Sequence, residues 1–197
     1  MGQYYKPVSL DRMEYVLTHD YDSGLKLMEH SYIGNPVLNV VESLLSNGGD
    51  WYKNRIVWAG DYADEGKFVP EIKPMWTEDG QPFMSNEISL YRYASYEGKQ
   101  IEPKSPTVRT PCQFLCNWDK KEYVNLAAVK PIGASGWEAK NYIHPLSLLT
   151  ADGNGRGGGD YRNDNDEMVG AWAGDRISME QEAPEDFTEL IHHFEEV

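Results

Sequence analysis

A glycine-rich loop offers the most direct chemistry in this sequence. Residues 155–161 read Gly-Arg-Gly-Gly-Gly-Asp-Tyr. Consecutive glycines expose backbone N–H groups that form anion-binding concavities, and arginine adds charge-assisted hydrogen bonds to a phosphate. Aromatic rings close to such a loop can stack on a flat ligand. We therefore predict a ligand site composed of Trp51, Arg156, Gly157, Gly158, Gly159, Tyr161 and Arg176.

The glycine loop also has a purely structural explanation. A phosphate-binding P-loop ends in Lys followed by Ser or Thr and leads into a helix. Neither feature is present after Gly159. The alternative is a tight connection between a helix and a strand, in which glycine supplies conformations that other residues avoid.

Four aspartates form a second candidate site. Gly-Asp-aromatic turns and Trp-Ala-Gly-Asp segments occur twice, and they place Asp50, Asp61, Asp160 and Asp175 at matching positions. Converging carboxylates bind Ca²⁺ or Mg²⁺, or share a proton in hydrolysis. A divalent cation is therefore the cofactor that this set would hold. The alternative is that each carboxylate caps the backbone N–H groups of its own turn.

Composition limits the partners of the chain. A net charge of −14 argues against direct binding to nucleic-acid phosphates or to anionic membranes, and it favours basic partners. No apolar leader follows Met1, and no apolar run is long enough to span a membrane. Cys112 and Cys116 are expected to be free thiols, and no histidine falls in a zinc-binding spacing. These features predict a cytoplasmic protein.

The first half of the chain reads as a hairpin, a helix and a strand. The turn at residues 11–13 separates strands at 3–10 and 14–18. A helix is predicted to begin at Asn35, with Pro36 in its first turn, and to stop at Gly48. Strands are predicted at 55–61 and, from an alternating pattern, at 87–96.

The second half repeats this order. Strands are predicted at 113–118 and 122–129 around the turn at 119–121, followed by a short helix at 144–149. Pro184 is predicted to open a C-terminal helix whose apolar stripe is Phe187, Leu190, Ile191 and Phe194.

Two matches predict an internal duplication. Residues 11–16, Asp-Arg-Met-Glu-Tyr-Val, match residues 119–124, Asp-Lys-Lys-Glu-Tyr-Val. The Trp-Ala-Gly-Asp segments at 58–61 and 172–175 also match, which pairs Trp58 with Trp172, and both are expected to be buried with their aspartates at strand ends. We therefore predict one α+β domain with a mainly antiparallel sheet and a pseudo-twofold axis. Its halves, about 2–96 and 111–197, are joined by a Lys/Pro-rich connector at 97–110.

The chain resembles a known group of sequences. The opening Met-Gly-Gln-Tyr-Tyr, the Gly-Arg-Gly-Gly-Gly-Asp-Tyr loop and Trp-Ala-Gly-Asp-Arg-Ile at 172–177 look like a family of small hypothetical proteins of bacteria, phages and fungi. The resemblance extends over most of the chain. It implies a phage or bacterial context but no activity and no catalytic residues.

Three functions are consistent with these features. The leading hypothesis is a non-enzymatic protein that binds a small polar ligand and sequesters a nucleotide-derived molecule. The first alternative is an aspartate-based, metal-dependent hydrolase. The second is an acidic interaction protein that mimics nucleic acid and inhibits a basic protein partner.

Overall fold

The computed structural model describes residues 2–102, 112–129, 142–162 and 167–194. The α-helices are α1 Leu27–His30, α2 Pro36–Leu45, α3 Leu90–Glu97, α4 Leu126–Val129 and α5 Pro145–Leu149. Short 3-10 turns cover Thr18–Tyr21 and Ser85–Glu87. The strands are β1 Tyr5–Ser9, β2 Glu14–Tyr15, β3 Asn54–Gly60, β4 Pro74–Trp76, β5 Pro82–Met84, β6 Lys99–Gln100, β7 Phe114–Asn117, β8 Glu122–Asn125, β9 Ala151–Asp152, β10 Arg176–Glu180 and β11 Thr188–Glu189.

In the described part of the chain, nine strands form a mixed sheet at the centre of the protein. Its order is β11-β8-β7-β10-β3-β1-β2-β6, and β9 pairs with β3 beside this path. The inner strands from β8 to β2 pair antiparallel, whereas β6, β11 and β9 pair parallel with their neighbours. The predicted α+β class with a mainly antiparallel sheet is therefore confirmed.

The two ends of the sheet are built alike. Read inward from either edge, a two-residue strand is followed by a hairpin and then by a central strand. At the centre, β3 and β10 pair antiparallel with Arg55 opposite Arg176. Hairpin β1–β2 continues the sheet from β3, and hairpin β7–β8 continues it from β10. Each hairpin is followed at the sheet edge by a two-residue parallel strand, β6 or β11.

Helix α2 covers the sheet as its sequence predicts. Asn35 caps the helix, since its Oδ1 accepts the Val37 N–H at 2.9 Å, and Pro36 follows in the first turn. Its buried face packs into one core cluster that contains residues of both halves of the chain, including Trp51, Trp58 and Trp172, which are fully buried. The expected burial of Trp58 and Trp172 is confirmed.

The strand predicted at 87–96 is wrong, because most of this segment forms α3. Leu90, Tyr93 and Ala94 are buried at the helical spacing i, i+3 and i+4. Leu90 and Ala94 pack against Val57 and Ala59 of β3. Packing against the sheet therefore outweighs the alternating pattern.

Two further predictions at the ends of elements are also wrong. The strand predicted at 122–129 stops at Asn125 and continues as α4. In place of a C-terminal helix, the described residues up to Phe194 contain strand β11, which pairs parallel with β8. The apolar stripe of the predicted helix is divided, because Ile191 is 80% exposed while Phe194 is buried. Residues 195–197, and 103–110 of the predicted connector, lie outside the described residues.

The predicted equivalence of Trp58 and Trp172 is wrong. The Trp58 indole N–H donates to His30 Nε2 at 2.8 Å, whereas the Trp172 indole donates to Glu122 at 2.9 Å. The contact that matches Trp172–Glu122 is made by Trp51, whose indole donates to Glu14 at 3.1 Å. The aspartates differ as well, because Asp61 follows β3 and Asp175 precedes β10.

Candidate functional site

A cavity of about 190 Å³ lies between the start of β1, the end of β9 and the glycine loop. Its polar side chains are Tyr5, Lys67, Asp152, Asp160 and Tyr161. Leu27, Ala151, Val169 and three glycines complete the lining. We call this space the Asp152–Asp160 cavity.

Asp152 contributes a buried carboxylate to this cavity. The residue is only 4% exposed, and its Oδ1 accepts Lys67 Nζ at 2.5 Å. Its Oδ2 is buried and has no hydrogen-bond partner among the described residues. Burial raises the pKa of Asp152 above its usual value, although the Lys67 ammonium acts in the opposite direction.

Asp160 contributes the second carboxylate. It is 6% exposed, and its Oδ2 accepts the Gly157 N–H at 2.8 Å. Its Oδ1 is buried without a partner in the described part of the chain. Burial raises the pKa of Asp160, and the hydrogen bond from the Gly157 N–H and the nearby Tyr5 hydroxyl partly offset this effect.

The start of β1 holds Asp160 in place. With its amide nitrogen facing the loop, Gln3 donates to Asp160 Oδ2 at 2.9 Å and to the Tyr5 hydroxyl at 3.1 Å. The amide oxygen of Gln3 then accepts the Tyr62 N–H at 3.2 Å. Burial and the negative charge of Asp160 raise the pKa of Tyr5, so its hydroxyl stays protonated and serves as a donor.

Glycines allow the loop to approach β1 closely. A Cβ at Gly153 would overlap the Tyr5 hydroxyl, and a Cβ at Gly157 would overlap the Gln3 side chain. Both positions therefore require glycine for packing. The glycines bring Asp152 and Asp160 against Gln3 and Tyr5.

Three N–H groups of the loop are occupied within the loop itself. The N–H of Arg156 donates to Asn154 Oδ1 at 2.9 Å, that of Gly157 donates to Asp160, and that of Asp160 donates to the Gly157 carbonyl at 3.2 Å. The adjoining cavity contains two carboxylates, which repel a phosphate. The two carboxylates therefore favour ligands that donate hydrogen bonds.

The predicted ligand residues do not form one site. Tyr161 lines the cavity, and its ring packs edge-to-face on the ring of Phe194, with 5.4 Å between the ring centres. Gly157 is buried under Gln3, the carbonyl of Gly159 accepts the Met28 N–H, Gly158 bridges to Gly2, and Arg156 is exposed. Trp51 and Arg176 are occupied elsewhere, because Trp51 is bound to Glu14 and Arg176 to Asp119 at 2.7 Å.

The four aspartates of the predicted metal site do not converge. Asp61 accepts the Tyr4 N–H at 3.0 Å, Asp175 accepts the Asn117 amide at 2.8 Å, and Asp50 is exposed. Of these four aspartates, only Asp160 lines the Asp152–Asp160 cavity. Within the described ranges, no group of three or more His, Cys, Asp or Glu side chains is placed to hold a metal ion.

Sequence reasoning missed Asp152, Lys67, Gln3 and Tyr5. Asp152 opens the Asp-Gly-Asn-Gly run. An aspartate directly before a glycine turn is a pattern that could have indicated a side chain held at this turn. Lys67 lies in an irregular segment 85 residues away and reaches Asp152 only through the tertiary fold. Its role has no local signature in the sequence.

Fold and site together define an α+β protein with an acidic cavity against its central sheet. Comparison of the chain with protein-family models, curated proteins and solved structures found no match. None of the helices in the described ranges has the length and apolar character needed to cross a bilayer. The functional argument therefore depends on the chemistry of the cavity.

Proposed function

We propose that this protein binds a small polar ligand in the Asp152–Asp160 cavity. The observation that carries the proposal is the pair of buried carboxylate oxygens, Asp152 Oδ2 and Asp160 Oδ1, that lack partners among the described residues. A buried polar atom without a partner costs about 1–3 kcal/mol, and more when it is charged. A ligand that donates hydrogen bonds to both oxygens recovers this cost.

The cavity limits the size and charge of the ligand. Its volume of about 190 Å³ corresponds to roughly six water molecules at about 30 Å³ each. A nucleobase, a monosaccharide or a small organic amine is of this order. If the ligand is nucleotide-derived, its base or ribose enters the cavity, because the carboxylates disfavour phosphate.

Thermal unfolding with candidate ligands tests the proposal. Nucleosides, free nucleobases, monosaccharides and organic amines are added separately to the wild type and to Asp152→Asn, Asp160→Asn and Asp50→Asn variants. A true ligand at about one hundred times its Kd stabilises the wild type by about 2.7 kcal/mol. This gain disappears in the two cavity variants but persists in Asp50→Asn, which makes the same charge change at an exposed position.

The stability of ligand-free Asp160→Asn gives a second readout. Because the folded pKa of Asp160 is raised, folding favours its protonated form, and its contribution to stability is lost as pH rises through that pKa. We expect Asp160→Asn to unfold at a higher temperature than the wild type at pH 7, with the gain vanishing below about pH 4. A variant less stable at pH 7, together with the absence of any stabilising ligand, contradicts the proposal and makes Asp160 a purely structural group.

We further propose that the two halves arose by duplication, in a register different from the Trp-Ala-Gly-Asp match. The hairpins match with an offset of 108, whereas residues 49–56 match residues 170–177 with an offset of 121, sharing Gly, Trp, Arg and Ile. Paired contacts support this register. Asp11 accepts the N–H of Arg55 and Asp119 accepts that of Arg176, each at 2.7 Å. The left-handed turn residues also correspond, Lys53 (φ 59°) with Gly174 (φ 83°) and Met13 (φ 45°) with Lys121 (φ 54°).

A further inference from the structure

The small hairpin β4–β5 carries an exposed apolar surface. Met75 is buried with Ile88 and Tyr93, so the adjacent Trp76 points outward and is 60% exposed. In the hairpin register Trp76 is opposite Pro82, and Pro74 is opposite Met84. Ile72, just before β4, is 67% exposed. We call this surface, formed by Ile72, Pro74, Trp76, Pro82 and Met84, the Trp76 face.

The outward side chains are not what holds the hairpin to the protein. Ser85 closes the base of the hairpin: its N–H donates to the Lys73 carbonyl at 2.9 Å, and its hydroxyl donates to the Glu71 carbonyl at 2.6 Å. The attachment to the rest of the protein includes the ion pair between Lys73 and Glu97 of α3. The inward face adds Met75, which is buried against Tyr93 of α3. The exposure of a tryptophan on the opposite face is therefore not explained by folding, and exposed apolar patches of this kind mark interaction surfaces.

Carboxylates surround the Trp76 face. Glu78 and Asp79 are exposed at the hairpin tip, and Glu71 has a side chain 68% exposed at the other end. Glu87 accepts the Met84 N–H at 2.8 Å. Lys73 is paired with Glu97 at 2.5 Å and lies 4.0 Å from Glu71. With Lys73 counted, carboxylates still outnumber ammonium groups on this rim.

We propose that the Trp76 face docks a basic peptide segment of a partner protein, in which Lys or Arg residues flank an apolar or proline residue. The apolar residue packs on Trp76 and Pro82, and the cations meet the rim carboxylates. A cation can also lie over the exposed Trp76 ring. The proposal is independent of the Asp152–Asp160 cavity.

Size and charge argue against a second copy of this chain as the occupant. Each strand has three residues, so the paired part of the face is about 10 Å long, and with Ile72 the face is about 16 Å long, at about 3.3 Å per residue. Stable protein pairs bury about 800 Å² on each partner, from roughly 20–30 residues, whereas this face has five. Two copies, each with a net charge of −14, would also place their acidic rims against one another.

Peptide selection on the whole 197-residue chain tests this inference. A random phage-displayed peptide library is selected on the immobilised wild type, and the recovered peptides are synthesised and titrated by calorimetry. We expect sequences enriched in Lys or Arg next to aliphatic residues or proline. Their affinity should fall at least tenfold in Trp76→Ser and several-fold between 50 and 300 mM NaCl, because rim charges are screened by salt.

Ile191→Ser is the matched control, because Ile191 is 80% exposed and lies outside the Trp76 face. It should bind the peptides as the wild type does, and circular dichroism should show both variants folded. The proposal is overturned if no peptide is recovered, if the peptides are neutral or acidic, or if Trp76→Ser binds normally. Concentration-dependent dimerisation that Trp76→Ser abolishes would instead assign the face to a second copy.

Discussion

Lys6 on β1 is buried, and it forms no ion pair with a carboxylate among the described residues. Lys6 is 1% exposed, and its Nζ lies 2.6 Å from the Ser95 hydroxyl and 4.1 and 4.3 Å from the ring centres of Tyr15 and Tyr91. Burial lowers the pKa of Lys6 to about 7. Lys6 and Tyr5 are neighbours in β1, so this site and the Asp152–Asp160 cavity lie on opposite faces of the same strand.

The pH dependence of stability should report this lysine directly. Between a folded pKa of about 7 and an unfolded value of about 10.4, the unfolded chain binds more protons, so the contribution of Lys6 to stability rises with pH. Below pH 7 the full cost of burying the charge is present. We expect Lys6→Met to exceed the wild type in free energy of unfolding at pH 7, and this excess to shrink by roughly 2–4 kcal/mol by pH 10.

Urea unfolding at pH 7, 8.5 and 10 measures this difference. Lys99→Met is the control, because Lys99 is exposed on the edge strand β6 and should show no such trend. A difference between Lys6→Met and the wild type that stays constant across this range would mean that Lys6 keeps an ordinary pKa in the folded state.

Among the individual elements, the sequence predicted correctly those whose ends are marked by specific residues, such as a helix cap or a polar turn. Helix α2 begins where Asn35 and Pro36 specify it, and both hairpins turn where short polar segments interrupt the strands. The segment that became α3 has both an alternating and a helical pattern, so packing against β3 decided between them. The C-terminal segment pairs as a strand because it meets the edge of β8, which no local pattern shows.

The site was predictable only where its residues lie in one segment. The glycine loop, Asp160 and Tyr161 were found because they are adjacent in sequence, and Tyr161 and Asp160 do line the cavity. Asp152 and Lys67 meet only after β9 has paired with β3. The direction in which the loop N–H groups point was not predictable, because a glycine loop looks the same in sequence whether its N–H groups face a ligand or its own side chains.

Double-mutant cycles test the proposed register of the duplication. We expect Trp51→Phe to couple to Glu14→Gln, and Trp172→Phe to couple to Glu122→Gln, each by about 0.5–3 kcal/mol in the free energy of unfolding, because each pair is joined by a hydrogen bond from a buried indole. Trp58→Phe should show no coupling to Glu122→Gln, since its indole bonds to His30. Coupling of Trp58 with Glu122, or of only one of the two expected pairs, would count against this register.

For the whole molecule, the relevant question is whether the halves fold together. The core cluster joins Val41 and Trp51 of the first half to Leu115, Leu146 and Trp172 of the second. The halves also exchange main-chain contacts at the centre, where the Ile56 N–H donates to the Asp175 carbonyl at 3.0 Å and the Gly174 N–H donates to the Ile56 carbonyl at 2.8 Å. Neither half can expose this shared core without disrupting the other.

We therefore expect one cooperative unfolding transition. Leu146→Ala removes a fully buried side chain from the second half and should lower the free energy of unfolding by about 2–5 kcal/mol. Because the core is shared, the urea midpoint should fall by the same amount whether it is followed by tryptophan fluorescence or by far-ultraviolet circular dichroism. Val41→Ala makes a smaller deletion on the first-half side of the same cluster and should likewise shift both probes together. Two separated transitions, with Leu146→Ala moving only one of them, would show that the halves are independent folding units joined at β3 and β10.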